Sequence, residues 1–221
     1  MDPHRKVILT FDDGPKPETT LEVVAALSKY NAKALFFVVG KNMTEERREI
    51  VREVRRAGHI ICNHTWDHPY LSQLADDDKI RQQLVEADRV IRDRECNGHD
   101  GVFFRPPYGD YDERIVAVAS SMGLRTLLWD VDTDDWRHEQ EGPEQWIENG
   151  VERLNAFNEY LSREGNYAPA VILMHDIHKT TSKGLPKFLE RLSLLGILFE
   201  DPKVVFDKKV TLRCELFARC L

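Results

Sequence analysis

Short apolar runs alternate along the chain with longer stretches in which apolar residues return every three or four positions. That alternation is the pattern of parallel strands joined by crossover helices. Strands are predicted at residues 7–11, 34–39, 59–62, 102–104, 124–131 and 170–174, with a less defined one after Gly196. Their nearly continuous apolar character suits strands buried on both faces. One helical stripe runs through Leu21, Val24, Ala25 and Leu27, and another through Ile50, Val51 and Val54, in a segment opened by Thr44 and closed by Gly58. A third runs through Leu84, Ala87, Val90 and Ile91 behind three aspartates, and a fourth through Ile115, Val116, Val118 and Ala119. Two further helices are predicted at residues 143–161 and 186–195. No repeat, low-complexity tract or linker interrupts the pattern, so one α/β domain over residues 1–221 is expected.

Composition narrows the class. With 42% hydrophobic and 31% charged residues the chain is of ordinary globular type, and its net charge is −7. Basic residues alternate with acids, which argues against a nucleic-acid partner. The longest apolar runs, residues 34–39 and 168–174, fall far short of the roughly 20 residues that a membrane helix requires. The five-residue apolar stretch at residues 7–11 is too short for a signal-peptide core of about 7–15 residues. The chain is therefore expected to be intracellular or to have lost a leader. Cys62, Cys96, Cys214 and Cys220 show no CxxC or CxxH spacing. Cys62 is expected to be a buried thiol, while the other three leave one bridge open.

The polar clusters carry the functional signal, because each follows a predicted strand. Phe11 is followed by DDGP, Cys62 by NHTWDH, Phe104 by RPPYG, Val131 by DTDDW and Met174 by His175-Asp176. In barrels of parallel strands the catalytic groups converge on that rim. His64 and His68 are four apart, so on one helical turn both imidazoles share a face and suit a metal. A strand-end aspartate, with Asp13 as the choice, would complete a His2Asp set of the kind zinc enzymes use. Thr65 stands where an HExxH protease has glutamate, so a base must come from elsewhere. Asp12 and Asp13 point apart on an extended backbone, which lets one bind metal and the other take a proton. DDGP is also an ordinary acidic turn, HxxxH is a common spacing, and Arg105, Asp132 and Trp136 each have structural uses.

TFDDGP, HTWDH, RPPYG, DTDDW and ILMHD, in this order over residues 7–196, resemble the five motifs of the polysaccharide deacetylases, the NodB-homology group of carbohydrate esterase family four. The resemblance implies a distorted (β/α) barrel of about seven parallel strands and a metal-dependent removal of acetyl groups from polysaccharides. By position it implies Asp12 as general base, Asp13, His64 and His68 as metal ligands, and His175 as general acid with Asp132 as its partner. Arg105 is implied to orient the base and the backbone N–H of Tyr108 to stabilise the oxyanion, with Trp136 and Leu173 walling the acetyl methyl. Zn2+ is the implied cofactor, with Co2+ or another divalent ion as substitutes. The motif wording is closest to fungal-type chitin deacetylases and suggests N-acetylglucosamine in chitin or chitooligosaccharides. A peptidoglycan deacetylase and a wall-associated glycan-binding protein without turnover are the alternatives. The implied setting is secreted or cell-wall associated, the expected form a monomer. Residues 197–221 depart from the family's usual closing strand, which is expected to be displaced to 204–206 or 210–214.

Overall fold

Strands that are apolar on both faces need helices on one side and a filled interior on the other, and the computed structural model has that form. It describes residues 5–92, 100–164 and 168–203. The strands are β1 (Lys6–Asp12), β2 (Ala34–Val38), β3 (Ile60–Asn63), β4 (Phe103–Phe104), β5 (Arg125–Thr126), β6 (Val131–Asp132), β7 (Ala170–His175) and β8 (Leu198–Phe199). The helices are α1 (Thr19–Lys29), α2 (Glu45–Arg56), α3 (Asp77–Ile91), α4 (Glu113–Ser121), α5 (Glu144–Arg163) and α6 (Lys179–Leu194). Seven strands run in the order β5-β4-β3-β2-β1-β7-β6, every pair parallel, and curl into an open barrel; β8 adds to the start of β1.

Alternation along the strands sorts side chains to the two faces. Val7, Leu9 and Phe11 of β1 pack with Trp146, Leu185 and Phe188 under the helices, whereas Ile8 packs with Phe37, Ile60, Cys62, Phe103 and Leu127 on the other face. Three helices begin on aspartate or threonine caps: Thr44, Asp76 and Asp112 accept from the backbone N–H groups of Arg47, Lys79 and Ile115. Each cap of this kind contributes about 1 kcal/mol. Cys62 is fully buried and unbridged, as expected, and burial pushes its thiol pKa up.

Two expectations change. The strand predicted at 124–131 is two strands at opposite edges of the sheet, β5 on β4 and β6 on β7. Residues 127–130 carry the chain from one edge to the other, because a straight run cannot pair with both. The last helix starts seven residues before Pro186, which lies inside it. Thr180, Thr181, Gly184 and Leu185 are buried in its first turns, and this packing holds the helix through a proline that costs a hydrogen bond. The strand expected after Gly196 is present at Leu198–Phe199, beside Lys6 and Val7. The alternatives at 204–206 and 210–214, and the pairing of Cys96, Cys214 and Cys220, lie outside the described residues.

Candidate active site

All five clusters meet on one rim around a cavity of about 640 Å3 whose lining includes Asp12, Asp13, His64, His68, Tyr108, Asp132, Trp136, Leu173 and His175. Asp12 ends β1, and its register partner in β7 is His175. Neighbouring strands lie about 4.8 Å apart, so these two residues are side by side on the sheet. Asp13 follows at a φ of 76°, His68 has a φ of 64° and Tyr108 a φ of 60°. Non-glycine residues pay strain in this region, and such strain gathers at sites where the surroundings dictate side-chain direction.

Asp13 Oδ1 lies 3.4 Å from His64 Nε2 and 3.1 Å from His68 Nε2. It is buried and no hydrogen-bond donor reaches it. His64 Nδ1 is 2.8 Å from the Arg105 carbonyl. A carbonyl only accepts, so Nδ1 carries the proton and Nε2 turns its lone pair toward Asp13. One carboxylate oxygen without a donor, set between imidazole nitrogens, fits a divalent cation. The spacing of the two histidines was expected to act through a helical turn, but residues 64–70 are not helical. A turn does the same work: Thr65 N–H donates to Asn63 Oδ1 at 2.9 Å, His68 N–H to Thr65 Oγ1 at 3.1 Å, and Trp66 and Asp67 N–H to Gln83 Oε1 at 3.0 and 3.1 Å.

Asp12 has a different environment. Arg105, with no solvent exposure, donates from Nη1 to Asp12 Oδ1 at 2.7 Å and to Thr10 Oγ1 at 2.8 Å. Its Nε and Nη2 donate to the carbonyls of Leu127 and Leu128 at 2.9 and 3.0 Å, and its guanidinium lies 4.1 Å over the Phe37 ring. Four acceptors and an aromatic face fix this fork, which in turn fixes Asp12. Asp12 Oδ2 lies 3.7 Å from His64 Nε2, on the side of the metal ligands.

Opposite, His175 Nδ1 lies 2.8 Å from Asp135 Oδ1, not from Asp132. Asp135 is fully buried, and its Oδ2 accepts from His175 N–H at 2.7 Å and Thr181 Oγ1 at 2.6 Å. Burial would lower the His175 pKa, but the Asp135 charge dominates and raises it to about 10. The expected partner, Asp132, instead accepts from Asp134 N–H at 2.9 Å, and burial raises its own pKa. Asp134 has a φ of 56°, and the turn at that left-handed residue brings Asp135 and not Asp132 onto the imidazole.

Leu173 is buried in the cavity wall and Trp136 is half exposed, with Arg137 stacked on it at 4.7 Å. Tyr108 is exposed, stacks on Tyr70 at 4.0 Å and meets the His68 ring edge-on at 4.6 Å. Sequence reasoning did not single out Asp135 as the histidine's partner, nor Thr10, Asn63, Thr181 or Tyr70. Asp176, named in the last cluster without a role, is buried against Gly14 and hydrogen-bonded by Thr20, and burial pushes its carboxyl up to about 7.

The family profile described as polysaccharide deacetylase matches residues 1–127. A peptidoglycan-N-acetylglucosamine deacetylase of Listeria monocytogenes is 30% identical over 214 residues, covering 97% of this chain and 41% of that protein. The chain thus spans about two fifths of that relative's length. A chitooligosaccharide deacetylase of a Bradyrhizobium species is 32% identical over 172 residues, covering 78% of this chain and 71% of its own length. Among solved structures, a family 4 carbohydrate esterase from Streptomyces lividans in complex with acetate superposes with a TM-score of 0.71 at 28% identity, covering 88% of this chain and 91% of that one. With the family matched over 127 of its 221 residues and these relatives extending the likeness, the chain belongs to the polysaccharide deacetylase family.

Proposed function

We propose that this chain is a metal-dependent N-deacetylase of glycans built on N-acetylglucosamine, releasing acetate and leaving a free amine on the sugar. One observation carries the reading: Asp13 Oδ1 sits without a donor between His64 and His68, with the Asp12–Arg105 pair on one side and the His175–Asp135 pair in the same cavity. Zn2+ matches a donor set of two imidazoles and a carboxylate. Held by Asp13, His64 and His68, it would supply Lewis-acid polarisation of the acetamide carbonyl and acidification of a water molecule.

The remaining roles fall to the chain's own groups. Asp12, aimed by Arg105, takes a proton from the attacking water at its carboxylate. The backbone N–H of Tyr108 faces the charge that develops on the acetamide oxygen. His175, kept as an imidazolium by Asp135, gives a proton to the departing amine, which is a poor leaving group until it is protonated. Leu173 and Trp136 cover the acetyl methyl and exclude water around it. An Asp12 turned away from the metal ligands would favour the reading without turnover; its 3.7 Å approach to His64 Nε2 favours turnover.

The motif wording supports chitin or chitooligosaccharides as substrate, and the Bradyrhizobium relative agrees in kind. The Listeria relative supports peptidoglycan and with it a cell-wall setting. Every group in the proposed set comes from one chain, so the reading requires no second copy. The test is acetate release by zinc- or cobalt-loaded protein from N-acetylchitotetraose and from N-acetylated peptidoglycan strands. Absence of acetate from both, with a folded and metal-loaded protein, overturns the proposal.

A further inference from the structure

A second cleft, of about 460 Å3, adjoins the catalytic cavity and shares Asp13, His68 and Ile177 with it. Lys16, Lys41 and Arg47 line it. Three cations line one cleft in a chain of net charge −7, where several other basic groups are neutralised locally: Arg55 by Asp100 at 2.7 Å, Arg92 by Asp88 at 2.8 Å and Lys183 by Glu22 at 2.8 Å. No carboxylate pairs with Lys16, Lys41 or Arg47 among the described residues.

Two of the three are held in place by the loops that carry the chemistry. Lys16 Nζ donates to the Ile177 carbonyl at 2.8 Å, and Arg47 Nη1 to the Pro15 carbonyl at 3.4 Å. Each keeps donors to spare, since an ammonium has three and a guanidinium five. Lys41 is fixed at its backbone, where its N–H donates to the Trp66 carbonyl at 2.7 Å, while its side chain is exposed and unpaired among the described residues. Two carboxylates share the cleft. Asp13 is turned to His64 and His68, which leaves Asp67 alone against three positive charges.

A chain of N-acetylglucosamine offers such cations nothing to pair with. A carboxylate on the sugar beside the one being hydrolysed does. We infer that this cleft is a subsite for that carboxylate, so that the preferred substrate is an anionic glycan with a free lactyl carboxylate on alternate sugars, as in peptidoglycan strands stripped of their stem peptides, over neutral chitin. The inference rests on the deacetylase reading and names its substrate class.

The test compares a tetrasaccharide of alternating N-acetylglucosamine and N-acetylmuramic acid with the same molecule whose carboxylates are converted to methyl amides. Acetate release is followed with zinc-loaded wild type and with Lys41→Gln and Lys41→Glu, and binding of both compounds is measured by calorimetry at low and high salt. Partly exposed ion pairs of this kind together support about a fivefold preference in kcat/KM for the carboxylated compound. That preference should shrink as salt screens it. It should fall to about twofold in Lys41→Gln and vanish in Lys41→Glu. Equal kcat/KM and equal affinity for the two compounds in wild type, or a preference untouched by Lys41→Glu, overturns the subsite. Acetate released equally from both compounds removes the subsite and leaves the deacetylase reading standing. A calorimetric preference lost in Lys41→Glu, without acetate from either, supports the subsite and removes the deacetylase reading.

Discussion

Replacing Asp135 by asparagine keeps the shape of the side chain and deletes the charge that faces His175. In wild type that carboxylate lies 2.8 Å from Nδ1, and the imidazole pKa is raised to about 10 from an ordinary 6.5, against burial that would lower it. An opposite charge at this range moves a pKa by about 1–3 units, and Asp135 is fully buried, so we expect the alkaline limb of kcat/KM to move acidward by about 2 pH units. The rate at pH 9 then falls about tenfold, with a far smaller deficit at pH 6. Asp12 and Asp13 also raise the His175 pKa, and a cation on Asp13 offsets part of this, so wild type and variants are compared at the same metal loading. Asp132→Asn keeps an acceptor for Asp134 N–H and removes a charge that acts on His175 without a hydrogen bond to it, so it should move that limb far less than Asp135→Asn does. Stability gives a second reading. The amide has a single acceptor oxygen, so it cannot accept from His175 Nδ1 and also from the two donors on the other carboxylate oxygen, His175 N–H and Thr181 Oγ1, a loss of about 1–3 kcal/mol. Asp135 has a lowered pKa and His175 a raised one, so the pair's contribution is complete between about pH 4 and 6.5. It is lost below that window as Asp135 protonates, and lost above it as pH rises toward 10. The Tm difference between wild type and Asp135→Asn should follow this window. An alkaline limb that moves in Asp132→Asn and stays in Asp135→Asn, or a Tm difference that grows toward pH 10, refutes the pairing as the source of the imidazolium.

Asp12→Asn should lower turnover by 10²-fold or more while zinc still binds, because a proton acceptor and not a ligand is removed; acetate assays and a zinc titration on one preparation separate the two. His68→Ala should lose both, read by metal content after dialysis. Arg105→Met leaves the buried Asp12 carboxylate without its partner and should cost about 3–5 kcal/mol, measured by urea unfolding. Gly14→Ala drives a methyl into the buried Asp176 carboxyl, so we expect a loss of about 1–3 kcal/mol in thermal melts and weaker zinc affinity, since Asp13 is the next residue back.

Much of this site was legible because buried parallel strands are apolar throughout, so any polar residue at their ends stands out. DDGP after β1 and the histidine after β7 were visible in that way, as was the arginine after β4. What was not legible depends on backbone direction. DTDDW offers three aspartates, and only the left-handed turn at Asp134 decides that Asp135 reaches His175. His64 and His68 share a face through a turn held by Asn63, Thr65 and Gln83, contacts that no local spacing reveals. Residues 124–131 read as one strand because their apolar pattern says nothing of two separate partners, β4 and β7. Pro186 read as a helix start because proline favours first turns, and burial of the preceding turns overrode that preference.

The register of β1 against β7 sets a different kind of constraint. Asp12 and His175 are direct partners across one parallel ladder, so the spacing between the proton acceptor and the proton donor belongs to the backbone of the sheet. Hydrogen-bonded ladders yield little to thermal motion, whereas the loops after β3, β4 and β6, beyond His68, Tyr108 and Trp136, are free to change length and composition. Choice of glycan is therefore modular with respect to proton transfer. Exchanging only the outer parts of those loops between family members, while keeping β1, β7 and residues 64–68, 105–108 and 132–136, would test whether glycan choice can be changed without rebuilding the proposed reaction centre.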